Sequence, residues 1–209
     1  IPNINYISKN IKIQKKSEKI KIGFISEFLT NHTIGRIFEG LIKNLNRKKF
    51  EILVFHTAQT KKGLLKDEID SSVNKVVDLP NKIIAQHQLI EKENLDILFY
   101  TDIGMSPTTY FLAYSRLSPV QIVSWGHTET TGIDTIDYFL SSTLFEANIQ
   151  KNNYSERLIC LNQIPTYYEP KKNIDPNKNR YDLNLPENST LYGCPQSLFK
   201  FHPDFDIVM

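Results

Sequence analysis

Residues 19–26, Lys-Ile-Lys-Ile-Gly-Phe-Ile-Ser, first alternate polar with apolar and then run apolar without a break. That is the pattern of a strand covered on both faces in a parallel sheet. A polar turn through Thr30, Asn31 and His32 follows, and Ile34, Ile37, Phe38, Leu41, Ile42 and Leu45 then recur at helical spacing. Strand, loop and helix open a βαβ unit. The alternation continues with strands over residues 50–57, 73–79 and 96–101, and a helix over 82–93 between the last two. A short helix over 107–116 has Ser106 as its cap and Pro107 near its start, and buried strands occupy 120–125 and 137–142. This order predicts an α/β fold built on a Rossmann-like, mostly parallel sheet. Ligands collect at the carboxyl ends of the strands in such sheets, so the loops starting at Ser26, Thr57, Asp102 and Gly126 are expected on one rim.

The pattern weakens at both ends. Residues 1–18 form a lead-in, and the basic run Lys12, Lys15, Lys16, Lys19 and Lys21 reads as a solvated approach to the first strand. Residues 19–172 carry the Rossmann-like lobe. Between 173 and 188 the composition shifts to Asn, Asp, Lys and Pro, which marks an exposed linker. Residues 189–209 read as the truncated start of a second α/β domain, with a strand over 190–194 and Pro203 at the first position of a helix. The chain begins at Ile1 and stops inside that helix, so it is expected to be part of something longer.

Composition narrows the function classes. Lys+Arg 25 against Asp+Glu 23 leaves a formal charge of +2, too balanced for the concentrated basic face of a nucleic-acid binder. No stretch reaches the roughly 18 apolar residues of a membrane span, and no signal-peptide core is present, so a cytoplasmic protein is expected. Cys160 and Cys194 have no metal-like spacing and sit in apolar runs, where small buried thiols are expected. No repeat with a period of about 20–50 residues is present.

Several residues could carry chemistry. The Thr- and Gly-rich loop from Gly126 to Gly132 follows a buried strand, where its hydroxyls and N–H groups can bind a sugar or phosphate or simply form a turn. His127 in that loop reads equally as a packed ring or a polar site group. His32 can orient or deprotonate a hydroxyl acceptor, or contact backbone as a loop histidine. Lys200 precedes His202-Pro203, which pairs a cation with a helix N-terminus and suits a diphosphate; the alternative is a surface lysine. Asp204 and Asp206 mimic a metal-binding D-x-D pattern, yet residues two apart on a helix point about 200° apart and do not converge on one ion. No metal is expected, and the absence of His/Cys ligand spacing and of a Gly-x-Ser-x-Gly elbow argues against metalloenzymes and hydrolases.

Six stretches in order carry a resemblance. They are residues 96–107 (DILFYTDIGMSP), 116–121 (RLSPVQ), 125–132 (WGHTETTG), 136–139 (IDYF), 154–158 (YSERL) and 194–206 (CPQSLFKFHPDFD). Together they resemble the catalytic region of the O-GlcNAc transferase family, in its bacterial SPINDLY-like branch. The resemblance implies the N-terminal, acceptor-side lobe of a two-lobed GT-B glycosyltransferase, followed by the start of the C-terminal nucleotide-sugar-binding lobe. It implies inverting transfer of N-acetylglucosamine from UDP-GlcNAc to a hydroxyl acceptor, usually protein Ser or Thr, without an obligatory metal or other cofactor. By position, Lys200 resembles the lysine that contacts the UDP diphosphate, and His32 the histidine on the acceptor side. His127, Thr130, Thr131, Gly132 and Gln196 fall at substrate-binding positions. TPR repeats commonly precede this region in the family, and none is visible in this chain. The segment from Glu27 to His32 is one residue longer than in the best-known members, and Thr128 and Glu129 replace Pro and a small residue. With most of the donor lobe outside it, the chain alone is expected to be inactive. The rival readings are a non-catalytic module that binds peptide or glycan, and a transferase acting on a glycan or small-molecule hydroxyl.

Overall fold

The apolar runs pair side by side. In the computed structural model, which describes residues 6–9, 11, 18–146, 153–168, 175 and 177–208, β1 (Ile20–Ser26) lies parallel between β2 (Phe50–His56) and β4 (Ile97–Tyr100). Ile22 sits opposite Ile52 on one neighbour and Ile97 on the other. β3 (Lys75–Asp78) extends the sheet beyond β2, while β5 (Val120–Ser124), β6 (Tyr138–Ser142) and β7 (Arg157–Leu161) extend it beyond β4. The order is β3-β2-β1-β4-β5-β6-β7, and every pair is parallel. The predicted Rossmann-like sheet is therefore present.

Strand side chains alternate between faces, and two buried clusters result. On one face, Phe24, Ile52, Val54 and Phe99 pack with Ile37, Phe38 and Ile42 of α1 (Thr33–Asn44) and with Ile69 of α2 (Leu64–Ser72). On the other, Ile25, Phe55, Leu98, Tyr100 and Phe139 pack with Ile90 of α3 (Ile83–Lys92) and with Leu112 and Ala113 of α4 (Pro107–Ala113). Each fully buried Phe or Leu stabilises the fold by roughly 1.5–3 kcal/mol relative to exposure, so these clusters fix which way each strand faces.

Several details depart from the pattern reading. α2 buries only Ile69, too little to produce an apolar stripe, and β7 is an edge strand whose outer positions stay exposed. β3 begins at Lys75 and α4 ends at Ala113, both shorter than predicted. Ser106 occupies the cap position of α4, but its hydroxyl makes no capping bond and goes to Glu27 instead. Lys21 is not a solvated lead-in residue. It sits in β1, donates to Glu93 O at 3.1 Å and lies 3.7 Å from Glu51. Lys12, Lys15 and Lys16 lie outside the described residues. Of the lead-in, Ser8 N donates to Arg116 O and Arg116 N to Tyr6 O, a short parallel bridge.

The chain divides into two compact units, Ile1–Glu169 and Pro170–Met209. In the second, residues 190–194 form no strand, because no other strand of that unit is present among the described residues to pair with them. Pro203 does open a helical turn, but a 3-10 turn over Pro203–Ile207, after another over Leu198–Lys200. Neither cysteine is a core thiol: Cys160 is half-buried on the edge strand, and Cys194 is exposed in a unit too short to cover it.

Candidate active site

β1 and β4 are neighbours whose following chains part to opposite faces, α1 to one and α4 to the other. This is the topological switch point, where open α/β sheets place their ligands. Here the two diverging loops are tied by one buried carboxyl. Asp102 Oδ2 accepts from Ser26 Oγ at 2.9 Å and from Glu27 N at 2.9 Å, and Ser26 Oγ in turn accepts from Phe28 N at 2.7 Å. Glu27 is fixed from the far side by Ser106, whose hydroxyl donates to Oε2 at 2.6 Å. Asp102 is 0% exposed, and its Oδ1 has no hydrogen-bond partner among the described residues. Burial pushes its carboxyl up to about 6, against the pull of the Glu27 N–H and the Ser26 hydroxyl.

His32 ends the loop after β1 as the cap of α1. Its extended backbone leaves the ring free to turn back, and Nδ1 accepts from Ile34 N at 3.2 Å. The ring also packs on Phe28, with centroids 4.6 Å apart. A neutral imidazole whose Nδ1 is an acceptor carries its proton on Nε2, so His32 held this way presents a donor. Glu27, Phe28, Thr30, Asn31 and His32 line a cavity of about 230 Å³ with Gln59, Lys61 and Lys62 from the chain between β2 and α2.

The loop after β5 closes against the same rim. A Cβ on Gly126 would fall 2.0 Å from Thr101 O, so only glycine lets this loop approach the end of β4. Gly104, with φ +96°, turns the chain beneath the His127 ring, whose atoms would lie 2.9–3.0 Å from an added Cβ. His127 is thus packed over the β4–α4 turn. Thr130 and Thr131 are engaged within the chain by Glu156. Thr130 Oγ1 donates to Glu156 Oε2 at 2.7 Å, Thr131 N donates to Glu156 Oε1 at 2.8 Å, and the Thr131 hydroxyl also donates to Oε1. Gly132 N donates to Ser155 Oγ at 3.0 Å. These groups clamp the loop to the chain entering β7. Burial pushes the Glu156 carboxyl up, and the Thr131 and Thr130 bonds more than reverse this, leaving it below the usual carboxylate value.

Lys200 and Gln196 lie in the second unit. Lys200 ends its 3-10 turn with Nζ 5.9 Å from the centroid of the Phe199 ring, and Gln196 Oε1 accepts from Ser197 N at 2.9 Å. Among the described residues no three His, Cys, Asp or Glu side chains are placed to hold a metal ion, and no helix is long and apolar enough to cross a membrane.

Residues 2–172 match the model of glycosyl transferase family 41. The chain belongs to that family. Among curated relatives, it is 22% identical over 203 residues to the Arabidopsis thaliana protein described as a probable UDP-N-acetylglucosamine peptide N-acetylglucosaminyltransferase, SEC, covering 93% of this chain and 21% of that protein. It is 26% identical over 152 residues to the UDP-glucose:protein N-beta-glucosyltransferase of Actinobacillus pleuropneumoniae serotype 5b, covering 68% of this chain and 24% of that one. A lysine-to-methionine mutant of the Thermobaculum terrenum O-GlcNAc transferase shares its fold, with a TM-score of 0.70 at 22% identity over 75% of this chain and 30% of that chain. The chain thus spans about a fifth to a quarter of the curated relatives it matches. The residue patterns put the loops after β1, β4 and β5 at one end of the sheet, as the parallel pairing has them, but Asp102 entered only as the start of a loop and Lys61 and Lys62 not at all. Their signal is positional: each lies in the chain that follows a strand end.

Proposed function

We propose that this chain is the acceptor-side lobe, with the first residues of the donor-side lobe, of an inverting transferase that moves N-acetylglucosamine from UDP-GlcNAc to a protein Ser or Thr hydroxyl. The observation that carries this is the cavity at the β1–β4 switch point, where Glu27 and His32 meet in a family 41 lobe. In the reaction the acceptor oxygen bonds to the anomeric carbon, the bond from that carbon to the diphosphate oxygen breaks, and the acceptor proton departs. His32, its Nδ1 engaged by Ile34, donates from Nε2 to a substrate oxygen. Glu27, oriented through Oε2 by Ser106, takes the acceptor proton on Oε1. Lys200 offsets the charge that grows on the departing diphosphate. No metal has a role in this scheme. The reaction is placed in the cytoplasm, a reducing setting that suits two unpaired cysteines.

A second reading has specific support, since one relative is named as a UDP-glucose:protein N-beta-glucosyltransferase. Glucose as the sugar, and nitrogen as the acceptor atom, are therefore tested alongside. The experiment is calorimetric binding of UDP, UDP-GlcNAc and UDP-glucose to the intact protein that carries this chain, beside Lys200→Ala, with mass-shift assays on Ser/Thr and Asn peptides. Donor binding weakened by roughly 1.5–3 kcal/mol in the variant, with a sugar mass added to a Ser/Thr peptide, is expected. A well-folded protein that binds none of the three overturns the reading.

A further inference from the structure

The cavity beside His32 has an uneven charge. Lys61 and Lys62 line it from the chain leading into α2, both are exposed, and neither makes an ion pair or a hydrogen bond among the described residues. Elsewhere on this lobe Lys43 pairs with Glu39 and Glu68, Lys66 with Asp70, and Lys75 with Glu93, while Lys48, Lys49, Lys82 and Lys92 are exposed without an ion pair among the described residues; Lys61 and Lys62 differ from these in lining a cavity. The one acid lining the cavity, Glu27, is already engaged by Ser106.

The backbone adds to the same sign. The starts of two helices of more than eight residues meet at segment 30–32, where His32 caps α1 through Ile34 N and Asn31 Oδ1 accepts from Leu65 N at 2.9 Å in the first turn of α2. Each start contributes a partial positive charge to the space in front of it. The Thr30 hydroxyl, on a side chain 6% exposed that lines this cavity, has no hydrogen-bond partner among the described residues. A donor without an acceptor, two unpaired ammonium groups and two helix starts all favour a group with negative charge and acceptor oxygens. A cavity of about 230 Å³ has room for a side-chain carboxylate.

We infer that Lys61 and Lys62 set acceptor specificity by binding a carboxylate side chain close to the modified residue, so that the preferred acceptor is an acidic peptide segment. This rests on the acceptor-side reading above and deepens it. Attraction of this kind steers encounter and rejects like-charged partners, and it weakens as salt screens it.

The test is fluorescence anisotropy on the full chain with two labelled peptides that share a central Ser or Thr and differ only in carrying Glu or Lys flanks. Both are titrated into the wild type, a Lys61→Glu/Lys62→Glu double variant and a Lys61→Ala/Lys62→Ala variant, each first shown to melt like the wild type. The wild type should bind the Glu peptide about tenfold more tightly at low salt, the Ala pair should lose most of that preference, and the Glu pair should invert it. Equal binding of the two peptides by the wild type, or a preference that survives both variants, overturns the inference. So does a loss that falls on UDP binding instead of peptide choice, which would make the lysines part of a diphosphate site. Transfer from UDP-GlcNAc by the intact protein is scored separately. Transfer without a charge preference leaves the transferase reading standing and removes this one, and a charge preference without transfer does the reverse.

Discussion

Replacing Asp102 by Asn should make the stability of this lobe less sensitive to pH in a direction opposite to that of most carboxylates. The Asp102 carboxyl, ordinarily near 3.8, is pushed up to about 6 in the folded chain, with burial as the main cause. Below 3.8 both the folded and unfolded chains hold the proton. Between 3.8 and about 6 only the folded chain holds it, so stability falls as pH rises through this window and levels off above it. A gap of about two pH units corresponds to roughly 3 kcal/mol, of which about 2 kcal/mol falls between pH 4.5 and 7.5. The amide of the Asp102→Asn variant has one oxygen able to accept from both Ser26 Oγ and Glu27 N, the two bonds now made to Oδ2, and it has no charge to bury. Its NH₂ lands where Oδ1 has no partner, a constant penalty of about 1–3 kcal/mol at every pH. The stability difference, variant minus wild type, should therefore rise by about 2 kcal/mol from pH 4.5 to 7.5, whatever its absolute value. Urea unfolding of both proteins at the two pH values measures it, and the remaining titrating groups, shared by both, cancel in the difference. A difference constant to within about 0.5 kcal/mol would show that Asp102 titrates normally, and the account of the switch point would be wrong.

Substitutions at three further positions follow from the same rim. Glu156→Ala strands the Thr130 and Thr131 hydroxyls and the Thr131 N–H, and should lower stability by about 2–4 kcal/mol at pH 7, read from urea unfolding, while speeding amide exchange over residues 128–132. His32→Ala should lose about 1 kcal/mol of helix capping and His32→Asn should recover it. If sugar transfer by the intact protein is lost in both, His32 acts on substrate, and recovery in the Asn variant would reduce it to a cap. Gly104→Ala forces a side chain into a backbone with φ +96° and against the His127 ring, and should lower stability by roughly 1–3 kcal/mol in thermal melts.

What could be read from the chain follows the range of the interactions involved. β1, β2, β4, β5 and β6 were legible because burial on both faces leaves an apolar run, and α1 because half of its positions are buried. α2, with Ile69 as its one buried residue, carries no such record, and edge strand β7 carries only a diluted one. Strand ends put the loops after β1, β4 and β5 on one rim, as the parallel pairing does. Which side chains meet there was not legible, because Asp102 bonds to Ser26 and Glu27 across 76 and 75 residues. The bonds of Thr130 and Thr131 to Glu156 were not legible for the same reason, Glu156 being supplied about 25 residues later by the chain entering β7. In the second unit the apolar stretch at 190–194 resembled a strand, but a strand needs a neighbour and none is present among its described residues.

The two anchors of the rim use the same chemistry with opposite balance. Asp102 and Glu156 are each buried carboxyls that gather hydroxyl and backbone donors from distant loops. At Asp102 burial prevails, so the neutral acid is the preferred form, and acidification toward pH 5 stabilises the junction between the β1 and β4 loops. At Glu156 the donors prevail, so the ionised form is preferred. That contribution is complete above its ordinary value of 4.5 and is lost as pH falls through the lower folded value. From about pH 6 down to 4.5 only the first anchor changes, and it tightens; below 4.5 the second releases and the 128–132 loop is the part that loosens. Near neutral pH the arrangement inverts, with the Glu156 clamp at full strength and Asp102 ionised beside Glu27. The loop after β5 is then the fixed wall of the rim. The switch point, where the buried Asp102 charge is held only through Oδ2 by Ser26 Oγ and Glu27 N, is the part that neutral pH weakens.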